Sequence, residues 1–405
     1  MTELVSSSVA PTQATAIAYN IEQAVRERYE AGAQQSEALL CCPTDGYDSR
    51  YLELLPPEII EKDYGCGDPT RYVNLGETVV DLGSGAGKNC YILSQRVGAS
   101  GRVIGVDVNE EMLALSRNYL EDMATKLGYR NLEFVKGKIQ DLALSLDSLE
   151  FWLQQHPITT LEGVTAFEAE RDRLRSQTPL IASDSIDVVI SNCVLNLVCP
   201  QDKQQLFTEI FRVLKRGGRA VISDIVCDED PTPTILNDSK LWSGCIAGAF
   251  REHTFLEMFE QAGFHGIEIL TRQEAPWQVI DGVEFRSLTV RAYKGKQGVC
   301  LERNQAVIYK GPWKAVQDDD GHTLYRGQRM AVCDKTFQLY TDPHSPYYQD
   351  MIPVSPHATI PLESAPMFDG SRDSLRHPRE TKGANYRDTI TDSSSDCCAP
   401  STSCC

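Results

Sequence analysis

Three cysteines stand where their thiols can do chemistry: Cys66 in DYGCGDP, Cys193 in SNCVLNLV and Cys245 in LWSGCIAGAF. A thiolate is a soft nucleophile and a soft ligand, so a set of thiols brought together suits soft ions better than hard cations such as Mg2+. The chain holds 14 cysteines. The stretch Met1 to Ala16 has neither the basic start nor the apolar run of a secretion signal, so a cytoplasmic protein with its thiols in a reducing compartment is expected. The seven histidines show no CxxC...HxxxH spacing, so a structural zinc site is not indicated. Cysteine is also among the most buried residue types. That role, a small apolar side chain, is expected for Cys90, Cys199, Cys227 and Cys300, while Cys333 in MAVCDKTF is left open.

A second group is Gly83-Ser84-Gly85-Ala86-Gly87, which follows the apolar run ETVVDL and opens a helical segment. Small residues there let a ligand approach the backbone N–H groups at a helix start. Asp81 lies at the end of the first strand, and Asp107 ends the next one, RVIGVD, where a carboxylate can accept both hydroxyls of a ribose. A dinucleotide fingerprint requires GxGxxG, but the third position after Gly85 is Lys88, so NAD is disfavoured. The DxGxGxG run with its downstream Asp instead resembles the first two motifs of the class I methyltransferases. That resemblance implies S-adenosylmethionine as cofactor, with Asp81 and Gly83, Ser84, Gly85 and Gly87 facing its methionine part and Asp107 its ribose. It also implies Lys138 and Ile139 beside the adenine, and Ser191-Asn192 closing the fourth strand over the cofactor.

The elements that must position these residues are legible as apolar runs alternating with segments of helical period. ETVVDLG, GRVIGVDV, LEFVKGKI, SIDVVISN and RAVISDIV read as strands, and KNCYILSQRV, EEMLALSRNYLEDMATKLG and QQLFTEIFRVLKRGG as helices. That alternation predicts an α/β fold with a mostly parallel sheet of about seven strands, the Rossmann-like architecture of class I methyltransferases. An amphipathic helix near Ile17 to Gly32 belongs to an N-terminal leader region, 1–36, and a loop-rich cap precedes the glycine turn within a methyltransferase domain spanning 37–295. A largely helical insertion interrupts that domain at about 142–183. From 296 to 375 the texture predicts a small β-rich α+β domain with a turn at DDDGHT, and 376–405 is expected to be a disordered, cysteine-containing tail.

Composition removes several function classes. A net charge of -18 argues against a nucleic-acid partner, and no stretch is long and apolar enough to cross a membrane. A monomer is expected.

With the cysteines in view the resemblance narrows. YGCG ahead of the glycine turn, SNCVLNL, RVLKRGGRAVISD, and GCIAGA followed by a helix and AGF make the chain similar to the arsenite methyltransferases over about residues 37 to 340. The family implies that Cys66, Cys193 and Cys245 bind As(III), with Cys41 or Cys42 as a fourth active thiol; the sequence does not choose between those two. It implies arsenite or its thiol conjugates as substrate, thioredoxin or glutathione as the reducing partner, and a role in detoxification. The chemistry is consistent with this. Three thiolates hold trivalent arsenic in a pyramid whose lone pair attacks a methyl group, and such a nucleophile needs no general base, in keeping with the lack of His or Glu in the three motifs. Methylation oxidises arsenic formally to the pentavalent state, and thiol to disulfide conversion returns it to trivalent. The closing pairs Cys397-Cys398 and Cys404-Cys405 would capture arsenite, relay electrons, or be incidental. Two rival readings are a methyltransferase for a small organic acceptor, a quinone or an amine, and a non-catalytic thiol-based metalloid-binding protein.

Overall fold

The computed structural model describes residues 13–34, 46–368, 370 and 374–382, with side chains from residue 21 onward. Cys41, Cys42 and the two C-terminal cysteine pairs lie outside the described residues. Two compact units divide the chain between Gly295 and Lys296.

The first unit begins with helix α1 (Gln13–Gln34), followed by the short helices α2 (Ser49–Leu52) and α3 (Pro57–Glu61). The alternating part runs β1 (Thr78–Leu82), α4 (Lys88–Val97), β2 (Arg102–Asp107), α5 (Glu110–Asn118), α6 (Leu120–Leu127) and β3 (Leu132–Lys136). Helices α7 (Leu146–Gln155) and α8 (Leu161–Gln177) then occupy the interval before β4 (Ile186–Asn192). After α9 (Lys203–Val213) and β5 (Leu214–Cys227) come α10 (Pro233–Leu236), α11 (Ser239–Ser243), β6 (Phe250–Arg251), α12 (Glu252–Gln261), β7 (His265–Arg272), β8 (Gln278–Ile280) and β9 (Val283–Tyr293).

These strands form one sheet in the order β3-β2-β1-β4-β5-β9-β7, with β6 added to β5 and β8 to β9. The main path has the expected seven strands; the two short additions bring the sheet to nine. Strands β1 to β5 pair in parallel, and β9 runs antiparallel between β5 and β7. Parallel strands covered by helices on both faces are apolar on both faces, and the alternation along each strand shows it. Val80, Leu82, Ile104, Val106 and Val189 pack with Phe207 and Phe259 on one side. Val79, Val103, Val188 and Ile190 pack with Tyr91, Leu93 and Met112 on the other. Phe207 meets Phe259 edge to face at 4.8 Å between ring centroids, and truncating a buried Phe of this kind to Ala costs about 3–5 kcal/mol. The chain steps outward from β1 to β3 and then returns to β4 on the opposite side of β1, so a crevice opens at the carboxyl ends of β1 and β4.

The second unit is β-rich, in agreement with the sequence. Strands β10 (Ala306–Tyr309), β13 (Arg329–Ala331) and β14 (Met351–Val354) make an antiparallel sheet in the order β13-β10-β14. Strands β11 (Ala315–Gln317) and β12 (Thr323–Tyr325) form a hairpin around Asp318–His322, whose left-handed residue is Gly321 at φ 77°. Helix α13 (Asp334–Thr341) covers the sheet through Phe337 and Tyr340, and α14 (Pro378–Lys382) is the last described element.

Candidate functional site

A cavity of about 460 Å³ opens at the carboxyl ends of β1, β2 and β4. The glycine turn forms its floor. Gly83, Gly85 and Gly87 have φ of 68°, 51° and 91°, a left-handed backbone that side chains resist. At Gly85 the space a Cβ would fill is open, so a ligand can lie directly on the backbone. Asp107 accepts the Gly85 N–H at 2.8 Å through one carboxylate oxygen and the Asn109 N–H at 2.8 Å through the other, which fixes the turn against the end of β2.

Two polar atoms mark where a ligand would bind. Ser84 Oγ and Asn109 Nδ2 are buried without a hydrogen-bond partner, and both residues line the cavity. Buried polar atoms are rarely left unsatisfied, so a polar ligand is the natural partner. Lys138 and Ile139 line the same cavity, Ile139 buried and Lys138 ion-paired with Glu22 of α1 at 3.2 Å. The cavity is large enough for a nucleoside-sized ligand. Its turn, its acid at the end of β2 and its unsatisfied atoms together fit S-adenosylmethionine.

Asp81 and Gly87 are not among the lining residues. Along β1 the side chains alternate, so Asp81 shares a face with Val79 and meets α4, where the Cys90 thiol donates to it at 3.2 Å. Burial pushes the Asp81 carboxyl up to about 7 and raises the Cys90 thiol well above its ordinary range. The expectation that Asp81 touches the methionine part is not met by a direct contact with the cavity.

The three singled-out cysteines come from three separate segments and meet in one buried cluster. Cys66, Cys193 and Cys245 pack there with Trp242, Ile246 and Phe285. Asn192 holds the first of them: its Oδ1 accepts the N–H groups of Cys66 at 2.8 Å and Gly67 at 3.1 Å, while its Nδ2 donates to the Gly67 carbonyl at 2.8 Å and the Tyr47 hydroxyl at 3.1 Å. A Cβ on Gly65 would run into the Asn192 amide, and one on Gly67 would lie 2.7 Å from Ser223 Oγ, which explains both glycines of YGCG by close approach. The Cys245 thiol donates to the Cys193 carbonyl at 3.0 Å. Asn196 ties the same two segments, its Nδ2 donating to the carbonyls of Cys245 at 3.1 Å and Ile225 at 2.7 Å.

Cys193 and Cys245 both adopt left-handed backbone, at φ 65° and 61°. That conformation is uncommon for residues other than glycine and gathers at functional sites. Among the described residues no three His, Cys, Asp or Glu side chains form a group that could hold a metal ion. None of the eight described cysteines is in a disulfide.

Sequence reasoning missed one wall of the site. Glu22, Arg26 and Tyr29 of α1 line the cavity, and Arg28 anchors the helix by donating to the Lys240 carbonyl at 2.8 Å and Ser243 Oγ at 3.1 Å. The Tyr29 hydroxyl lies 4.0 Å from Cys245 Sγ, and burial together with that thiol raises its pKa well above the ordinary value. The amphipathic period of α1 was the available signal; its docking place was not encoded locally. Asp63, Tyr64 and Met112 were missed as well. Cys199, expected only to fill space, is buried but also lines the cavity. Cys90 and Cys227 have the expected buried positions.

A methyltransferase domain family matches residues 74–171 and 162–263, and a domain of unknown function (DUF8838) matches residues 296–386. The chain is 30% identical to an arsenite methyltransferase from Aquipseudomonas alcaligenes, across 89% of this chain and 97% of the relative. It is 31% identical to an arsenite methyltransferase from Mus musculus, across 73% of this chain and 72% of that one. Among solved structures it is similar to an arsenic(III) S-adenosylmethionine methyltransferase from Chlamydomonas reinhardtii, with a TM-score of 0.51, 26% identity and coverage of 79% of this chain and 98% of that one.

Proposed function

This chain belongs to the arsenite methyltransferase family, and from that premise we propose how its own residues move a methyl group from S-adenosylmethionine to trivalent arsenic. When bound, the cofactor supplies an electrophilic methyl group on a sulfonium. Gly83, Ser84 and Gly85 hold its amino-acid part, Asp107 its ribose, and Lys138 and Ile139 its adenine. Ser84 Oγ and Asn109 Nδ2 are the two groups that gain partners on binding.

Cys66, Cys193 and Cys245 take the arsenic. Each thiol exchanges for one hydroxyl of arsenous acid, and its proton leaves with that hydroxyl as water, so no side-chain base is required. The lone pair of the resulting three-thiolate arsenic is the nucleophile. No histidine lines the cavity among the described residues, in keeping with that chemistry. Asn192 anchors the loop that carries Cys66, and arsenic binding brings the three thiols of the cluster onto one ion. Methyl transfer leaves arsenic formally pentavalent. Oxidation of two thiols to a disulfide returns two electrons, with Cys41 or Cys42 as the added thiol and thioredoxin or glutathione as the reductant that restores the chain.

The observation that carries this reading is the convergence of three cysteines from distant segments on one buried cluster beside the cofactor cavity. The test is product analysis with labelled S-adenosylmethionine and arsenite, comparing the native chain with Cys66→Ser. Methylated arsenic is expected from the native chain and is lost in the variant, while cofactor binding is kept. Methylated arsenic at the native rate from Cys66→Ser overturns the assignment.

A further inference from the structure

The second unit contains two thiols that the methyl-transfer site does not use, and they lie side by side. The Asp334 N–H donates to the Leu301 carbonyl at 2.8 Å, and the Val332 N–H donates to the Gln305 carbonyl at 3.4 Å. These bonds clamp together the segments that carry Cys300 and Cys333, and burial together with the neighbouring Cys333 thiol raises the pKa of Cys300. Neither is in a disulfide. Cys333 is buried at the start of α13, where its sulfur accepts the Thr336 N–H at 3.5 Å and lies 3.2 Å from Thr336 Oγ1. Cys300 is partly exposed, contrary to its expected role as a buried apolar side chain, with the Lys335 ammonium in its neighbourhood. One thiol is thus fixed and the other reachable.

We propose that Cys300 and Cys333 form a second thiol site, one that takes trivalent arsenic already carrying a single carbon substituent. Arsenic of that kind has two exchangeable hydroxyls, and its third valence is filled by carbon, so two thiols satisfy it and no third protein ligand is needed. No such third ligand is clustered there among the described residues. Soft sulfur donors also disfavour hard cations. The exchange balances: two As–O and two S–H bonds break, two As–S bonds form, and two waters leave with the two thiol protons. No oxidation state changes. The biological meaning rests on the methyltransferase reading, in which a singly methylated trivalent arsenical is a product, but the binding itself does not.

Phenylarsine oxide is the probe. The full chain is treated with it, alkylated with iodoacetamide without denaturant, and digested, and alkylation is read on the peptide bearing Cys300. The expected result is loss of alkylation at Cys300 in the native chain and its return in Cys333→Ser at the same probe concentration. Without any variant, protection is expected to be reversed by dimercaptopropanol and to resist an equal concentration of mercaptoethanol. Undiminished alkylation of Cys300, equal protection in Cys333→Ser, or release by the monothiol overturns the proposal. Methyl transfer is read in a separate assay on Cys66, so either reading can fail alone.

Discussion

Replacing Asn192 by Ala tests whether one amide positions the arsenic ligand or serves the cofactor. The side chain makes four hydrogen bonds, to the Cys66 and Gly67 N–H groups, the Gly67 carbonyl and the Tyr47 hydroxyl, all to the loop side of the site. At about 1 kcal/mol net each, their loss is worth up to about 4 kcal/mol, and partial replacement by water reduces this to about 2–3 kcal/mol. At 1.4 kcal/mol per decade, arsenite affinity and methylation at low arsenite should fall roughly 30- to 150-fold. Equilibrium binding of S-adenosylmethionine, measured by calorimetry on the same protein, should change by less than about threefold if the loss is confined to the loop. Asn192→Asp keeps the acceptor for the two N–H groups and loses the donor, so it should recover part of the arsenite affinity. The reasoning is refuted if Asn192→Ala weakens the cofactor tenfold or more while arsenite affinity stays native, since the amide would then serve the cofactor.

The buried Asp81 carboxyl, raised to about 7, makes stability depend on pH. Its folded pKa lies above that of the unfolded chain, so this contribution is complete below about pH 4 and is lost as pH rises through 7, by about 4 kcal/mol at most; melting temperatures of Asp81→Asn should therefore vary less between pH 4 and 8 than those of the native chain, and parallel curves would count against the carboxyl. Trp242 shares the apolar cluster with the three cysteines, and its indole N–H donates to the Leu236 carbonyl at 2.8 Å. Arsenite binding should therefore change tryptophan emission, and the change should vanish in Trp242→Phe; an unaltered signal in that variant would locate the perturbation elsewhere.

The sequence made the sheet readable because its strands are unbroken apolar runs and its helices keep a 3.6-residue period. Within the site, Gly83, Gly85 and Asp107 were legible because their positions are fixed by the strand that precedes them. The three cysteines were legible as candidates, through a resemblance rather than through spacing. The supporting residues were not. Asn192 was expected only to close the fourth strand over the cofactor, and it does line the cavity, but only the fold places its amide against Cys66, 126 positions away. Asn109 was not singled out; it caps the helix that follows β2, accepting the Met112 N–H at 3.0 Å, and it lines the cavity only because of where the end of β2 lies. Asp81 and Cys199 show the limit on known motifs. A strand's alternation gives the face a side chain takes, not which neighbour fills the space beside it.

The left-handed backbone at Cys193 and Cys245 has a consequence for how this protein can be changed. Glycine relaxes at such angles and any other L-residue carries a penalty of about 1–2 kcal/mol, so at both positions the backbone would gain from a residue that lacks the thiol. A selection for thermal endurance alone should therefore drift toward glycine there and yield hardier chains without two of the thiols proposed to hold arsenic. The fold's ease and the enzyme's purpose pull in opposite directions at these two positions.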